Sequence, residues 1–433
     1  MDKQSWIVVG GGATGGYIAL RGAKAGHQVV LLDQDPALGG LTATTTLDVN
    51  GTPVEVDRFY HVILEGDRRV LALLDELGLC DTVRWTAAPA EIVAEGRQYP
   101  ATSLVQMATL PLLKLTDRAR IGTSIAASLA LPMKVADRMT AVNWLRRTAG
   151  HSALEAFWWP ILRAKLGTQA DRVSATFLVS TFRRLVQARL QGAGDKFGVL
   201  PHGYRPVFEA LAARVQELGG EVRSGTIVQE ISSSPDGTKV RTATGEELVA
   251  DRVFLTTPAP VTNALLPQLT ELERRQLTSA PYLGVVCGAF VLAEPPNDSY
   301  ITYLVDDVGL TGVIGMHALL GTDQTAGGHL VYLPHYCGSD DEWFERTDDD
   351  LRAQLLGGLA KCFPGRNFTV LAGTVSKARH VVPLPLPRAL APLGFQTSIP
   401  GVHVVGTAQN TTGTLNVEAS LELVDEALKG LLA

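Results

Sequence analysis

Cysteine is scarce in this chain: Cys80, Cys287, Cys337 and Cys362 are the only four in 433 residues, far apart and without a CxxC spacing. The spacing excludes a disulfide framework and a structural zinc site, and it suits core thiols in a reducing cytoplasm. The nine histidines are scattered as well, with no metal-ligand spacing. Charged residues make up only 19% of the chain, and 38 basic against 44 acidic side chains leave a net charge of -6. Such a balance offers no field to a phosphate backbone, so nucleic acid is not an expected partner. HExxH, GxSxG and GxxxxGK[ST] are missing too, which removes the signatures of zinc proteolysis, hydrolase elbows and P-loop phosphoryl transfer. No apolar run reaches the ~20 residues of a membrane span; Gln276–Ala293 carries no charge but is shorter and is broken by Pro281 and Gly284. The opening Met1-Asp2-Lys3-Gln4 leads directly into an apolar run at Trp6, leaving no room for a signal peptide, and a cytoplasmic location is expected.

What the chain does have is length, a 46% hydrophobic content and 43 glycines. These fit a large core divided among two or three folding units. Leu110–Met133 mixes apolar residues with Lys114, Arg118 and Arg120, a pattern that serves either a helical substrate-binding unit or a peripheral membrane contact.

The first forty residues are the most informative. Trp6–Val9 reads as a buried strand, followed by Gly10-Gly11-Gly12-Ala13-Thr14-Gly15-Gly16, a GxGxxG pattern with Gly10, Gly12 and Gly15 in its three positions. Gly10 would make the tight turn, Gly12 would admit a pyrophosphate to the backbone, and Gly15 would let the next helix pack on the strand. The helix predicted over Gly15–Ala25 would aim its positive end at the phosphates. A second strand, Gln28–Leu32, ends at Asp33, the place from which a carboxylate meets an adenosine ribose. Strand, glycines, helix, strand and acid in that order predict a dinucleotide site.

Asp33-Gln34-Asp35-Pro36-Ala37-Leu38-Gly39-Gly40 resembles the acid-x5-GG extension of the flavoprotein superfamily of protoporphyrinogen oxidases, carotenoid desaturases, monoamine oxidases and UDP-galactopyranose mutases. That resemblance implies FAD, with Ala13, Thr14, Gln34, Gly39, Gly40, Leu41 and Thr42 near its diphosphate and ribityl region. The later segments follow the same order. Pro206–Leu218 reads as a helix closed by Gly219-Gly220; Val222, Ile227–Ile231 and Val253–Thr256 read as strands, and Asp236-Gly237 as a hairpin turn. Here the resemblance places adenine beside Val228 and a domain exit at Thr257-Pro258. Ile399–Gln409, Gly413-Thr414-Leu415-Asn416 and a helix over Val417–Leu432 resemble the last FAD motif, with Gly406, Thr407, Leu415 and Asn416 as contacts. The usual aspartate after the glycine is Thr407, so the ribityl contact must come from another group.

Within the superfamily, Asp57-Arg58-Phe59-Tyr60-His61, the segment Phe157–Ala175 and the Gly406–Asn416 ending resemble bacterial protoporphyrinogen-oxidase-like, amine-oxidase-type oxidoreductases. The expected fold is α/β: a Rossmann-type FAD-binding domain of the glutathione-reductase-like type over 1–85, 200–258 and 385–433, interleaved with an α+β substrate-binding domain over 86–199 and 259–384. The expected activity is hydride transfer from a small organic substrate to flavin N5, with oxygen or another acceptor reoxidising the flavin. His61 and Tyr60 are the candidates for positioning or proton transfer. Phe157, Trp158 and Trp159 beside Arg163 and Lys165, the pair Arg183-Arg184, Arg379 and Tyr204 are further candidates, each with an ordinary structural reading. Amine oxidases hold a lysine near flavin N5 on a strand of the substrate domain; the matching stretch Tyr282–Phe290 has none, which favours a desaturase-like mode. The same resemblance leaves open a redox-neutral mutase and a chaperone that uses no flavin.

Overall fold

The structure is a computed structural model that describes residues 3–103, 106, 110–111, 113–190, 196–234, 237–387, 390–410 and 416–432. Five short strands form one parallel sheet, in the order Glu221–Arg223, Gln28–Leu32, Ser5–Val9, Arg252–Leu255 and Val402–Val404. These strands are rich in Val, Leu and Ile, as a parallel sheet covered on both faces requires. On one face the helices Ala13–Lys24, Arg205–Glu217 and Val417–Ala427 bury Trp6, Ile18, Leu211, Phe254 and Leu421 in one apolar cluster. Ile7, Val9, Leu255 and Val404 face the opposite cluster, which includes Ile231 and Val240 of the antiparallel ribbon Val228–Ser234, Gly237–Thr242 and Glu247–Ala250.

A second sheet of seven strands runs in the order Val370–Pro383, Tyr282–Leu292, His329–Gly338, Gly312–Gly315, Ile301–Leu304, Ala90–Ala94 and Arg97–Pro100. Tyr282–Leu292 is buried along its whole length between its two long neighbours. That explains its charge-free sequence without a membrane. A helical layer, Leu115–Ala130, Ala141–Thr148, Trp159–Leu166 and Ala175–Leu190, packs over this sheet around Trp144, Leu145, Phe157, Trp158, Leu162 and Val179.

Several boundaries differ from the sequence reading. The first helix starts at Ala13 because Gly12, in extended conformation, already serves as its N-cap. The strand expected over Ile227–Ile231 is Val228–Ser234, since hairpin pairing extends it toward Gly237. The last helix ends at Ala427 rather than Leu432. Asp236 of the expected hairpin turn lies outside the described residues. Among the described residues no helix is long and apolar enough to cross a membrane. In Leu110–Met133, Ile121 is buried against the helical core while Leu115 is 80% exposed.

Candidate functional site

Gly10 turns the chain out of the first strand with φ +107, a backbone region that disfavours side chains. Gly12 offers no side-chain cap to the helix that follows, so the first-turn N–H groups remain free to meet an anion. The second glycine pair then closes onto the first: Gly12 bridges Gly39, and the Gly39 N–H donates to the Gly11 carbonyl at 3.0 Å. A Cβ on Gly12 would meet nothing nearer than the Gly39 carbonyl at 3.7 Å. Its lack of a side chain therefore leaves a cradle for a ligand and is not required by packing. The Asp33 carboxylate accepts the Gly11 N–H through Oδ2 and the Asp35 N–H, at 2.7 Å, through Oδ1. Burial pushes this carboxyl above its ordinary range, and the two N–H donors oppose the shift.

Gly10, Gly12, Ala13, Thr14, Asp33, Gln34, Gly39, Gly40, Leu41, Thr42, Tyr60, His61, Val228, Thr257, Gly406, Thr407 and Asn416 all line one cavity of 1230 Å³. Gly15 is not on its wall. It packs under Gly10 and Thr256, so its contribution is to helix–strand approach. Leu415 lies outside the described residues, as do Gly413 and Thr414. At the corner where an aspartate is usual, the Thr407 hydroxyl lies 3.2 Å from the Tyr282 hydroxyl, and the Gly406 N–H donates to Gln409 Oε1 at 3.0 Å. The Asn416 side chain caps the last helix by accepting the Ala419 N–H at 2.8 Å.

The same cavity continues over the seven-stranded sheet. Leu283, Val285 and Cys287 contribute from one strand, Tyr336 from the next, Ile301 and Tyr303 from the far side, and Leu166, Phe177 and Thr181 from the helices above. Sequence reading singles out the stretch Tyr282–Phe290 for its lack of a lysine and misses the others. Single apolar or tyrosine positions on strands look like core, and only the folded sheet shows that they face a chamber. Lys377 is the one lysine among the lining residues described, and its Nζ turns away to Asp348 at 3.1 Å and the Arg346 carbonyl at 2.7 Å.

Asp57 and His61 form the innermost part of the DRFYH loop. The Asp57 carboxylate accepts the Tyr204 N–H at 3.0 Å, and its backbone carbonyl accepts the Tyr332 hydroxyl at 2.7 Å. His61 Nδ1 lies 4.0 Å from Asp57 Oδ2, too far for a hydrogen bond, and is buried without a hydrogen-bond partner. The Tyr204 ring stands edge-on to the imidazole with centroids 5.6 Å apart. Burial pushes the Asp57 carboxyl up to about 7 against the Tyr204 N–H. Burial also pushes the His61 imidazole down to about 4, opposed by the Phe59 backbone. Both groups are therefore driven toward their neutral forms. His61 faces the main cavity on one side and a 20 Å³ pocket, shared with Asp57, Tyr204 and Tyr332, on the other. Tyr60 sits beside Tyr332 with ring centroids 6.2 Å apart, and burial raises its phenol well above the ordinary value.

Other candidates have structural partners. Phe157 and Trp158 pack edge-to-face in the helical core, Trp158 also against Phe182, and Arg163 lies 3.6 Å from Asp307. Arg183 donates to the Leu129 and Leu131 carbonyls, closing the end of the helix Leu115–Ala130. Arg379 lines the cavity wall, but its guanidinium is held by Glu345 at 2.5 Å and the Ser339 carbonyl at 3.0 Å. The side chains of Arg184 and Lys165 fall outside the described set.

The family model for flavin containing amine oxidoreductases matches residues 17–418. The chain belongs to that family. The match begins after the GxGxxG glycines, so that motif supports the assignment independently. Membership makes the protein an FAD-dependent oxidoreductase. Its sequence is 22% identical over 415 residues, 88% of this chain and 69% of the relative, to 15-cis-phytoene desaturase of Narcissus pseudonarcissus. Its fold is similar to that of an oxidoreductase from Methanosarcina mazei, with TM-score 0.76 and 17% identity over 98% of this chain and 100% of the other. It is also similar to cyclohexylamine oxidase from Brevibacterium oxydans, with TM-score 0.73 and 18% identity over 99% and 100% of the two chains.

Proposed function

We propose that this member of the family removes two hydrogens from a small organic substrate held in the chamber over the seven-stranded sheet, working in a desaturase-like rather than an amine-oxidising mode. The continuity of the dinucleotide cradle with that chamber, within a cavity whose one described lysine is turned outward, carries the reading. The free N–H groups after Gly12, the Gly39-Gly40 turn and Asp33 suit a diphosphate and a ribose, and would hold FAD together with Thr42, Val228, Thr257, Thr407 and Asn416. FAD, when bound, supplies the two-electron acceptor.

The chain's own part is positioning and exclusion of water. His61, neutral near pH 7, can accept a hydrogen bond or a proton from a substrate but has none to supply as an imidazolium. Tyr60, held protonated, can donate a hydrogen bond. The parallel sheet and its ribbon act as the FAD domain over 1–85, 200–258 and 385–433, and the remaining segments, 86–199 and 259–384, form the substrate domain. Oxygen or another small acceptor completes the cycle.

Substrate added under argon should bleach the flavin absorbance, and admission of an acceptor should restore it. Activity that appears only after dithionite reduction would replace this reading with a redox-neutral, mutase-like one. Protein without yellow colour or affinity for added FAD would overturn both.

A further inference from the structure

We infer that the chamber is built for an elongated, uncharged, predominantly apolar substrate, which lies across the seven-stranded sheet. The inference rests on the proposed oxidoreductase reading only for what happens to that substrate; the binding surface stands by itself.

Length follows from the strand order. The cavity wall runs from the edge strand Val370–Pro383, through Val285 and Tyr336, to Ile301 and Tyr303 on the fifth strand. The pairings Ile301↔Ile314, Ile314↔Tyr332, Tyr332↔Ala289 and Ala289↔Thr374 make an unbroken row across the five strands, and its two ends, Ile301 and Thr374, line the cavity. Four strand spacings of ~4.8 Å make this floor roughly 19 Å long. Leu166 and Phe177, from the helices above, cover it. Tyr303, 37% exposed, stands at the far end of this wall.

Charge follows from where the ionisable groups point. Lys377 and Arg379 both lie on the edge strand, yet Asp348 holds the first and Glu345 the second. The Asp67 carboxylate accepts the Leu64 N–H at 2.8 Å. Asp33 and Asp35 lie at the nucleotide end, and Arg58 and Asp67 come from segments outside the seven-stranded sheet. Burial pushes the His61 and His380 imidazoles down and the Tyr60, Tyr300 and Tyr336 phenols up, so each is neutral at pH 7. Over the sheet, a carboxylate, ammonium or diphosphate would lose its hydration and find Lys377 and Arg379 already paired. A hydroxyl or carbonyl, in contrast, would find the tyrosine hydroxyls at hand.

Calorimetric titration of the purified, flavin-loaded protein with butan-1-ol, octan-1-ol and dodecan-1-ol, and with the alkylammonium and carboxylate ions of the same lengths, tests this without requiring turnover. Affinity for the alcohols should rise with length, by up to about fourfold per methylene, and each long alcohol should bind at least about tenfold more tightly than either ion of its length. Alcohol affinity independent of chain length, or tighter binding of either ion, would overturn the inference. Ile301→Glu should weaken dodecan-1-ol selectively and leave butan-1-ol and the flavin in place. An equal loss for both alcohols, with flavin retained, would contradict a chamber extending to the fifth strand. If the purified chain holds no flavin, the same titration still decides the shape and polarity of the chamber, while the oxidoreductase reading fails separately.

Discussion

Gly12→Val should yield a folded protein that binds flavin roughly ten- to hundredfold more weakly. The position is open within the chain, with the Gly39 carbonyl as the nearest atom to an added Cβ at 3.7 Å and Gly40 Cα next at 3.8 Å. The Cβ of a side chain there meets the protein only at ordinary van der Waals distance and takes up space that the cradle leaves for its ligand. Overpacking of this size costs ~1–3 kcal/mol, roughly a ten- to hundredfold loss of affinity. Flavin content and the dissociation constant for added FAD are the direct measurements, alongside the melting temperature of the flavin-free form, which should match flavin-free wild type. Comparison with flavin-loaded wild type would mislead, because a ligand that binds only the native state raises its melting point. Gly15→Ala supplies the contrast. A Cβ at that position falls on the Gly10 carbonyl and lies 2.8 Å from Thr256 Oγ1, so it should lower the melting temperature of the flavin-free protein itself. Undiminished flavin content in Gly12→Val, at equal purity, would refute the cradle.

The stability of the protein between pH 4 and 7 should be shaped by two opposing buried groups, Asp57 and His61, and substitution of either should expose the other. Asp57 binds its proton up to about pH 7 in the fold, whereas an unfolded aspartate releases it near 3.9. Between those values the native state holds the extra proton, so this group destabilises the fold increasingly as pH rises from about 4 to about 7, by about 4 kcal/mol in total. His61 behaves in the opposite sense. Its folded pKa of about 4 lies below the unfolded ~6.5, so the unfolded state takes up the extra proton and stability falls as pH drops from about 6.5 to about 4, by about 3 kcal/mol. In wild type the two slopes largely cancel. Denaturant titrations across this range should show Asp57→Asn losing stability toward acid and His61→Gln gaining it. Asparagine keeps a carbonyl for the Tyr204 N–H, so a merely structural change would lower stability without altering its slope with pH. Parallel pH profiles for wild type and both variants would remove the pair from the account.

The glycine motifs were legible because each part is local. A strand, a turn that needs φ +107 at Gly10, an uncapped helix start and an acid at the end of the next strand are all specified within forty residues. The DRFYH loop was legible as a candidate through its residue types. Its chemistry was not, because the neutral state of His61 depends on burial beside Tyr204 and Asp57, and Tyr204 is more than 140 residues away in the chain. Arg379 and Arg183 show the reverse. As sequence they were candidate site residues, but Glu345 and the carbonyls of Leu129 and Leu131 take up their donors.

The absence of a lysine from Tyr282–Phe290 could be read directly, but where Lys377 points could not. In a strand, neighbouring side chains alternate between faces, and pairing with distant strands decides which face becomes a chamber. The sequence by itself determined a dinucleotide-binding α/β chain, because phosphate and ribose contacts come from short-range backbone geometry, and its resemblance to a flavoprotein superfamily implied FAD as the dinucleotide. Only the tertiary structure decided the substrate side. Ile301, Tyr303, Tyr336 and Phe177 come from separate strands and a helix, and long-range packing alone brings them around one space and turns the nearby charges out of it.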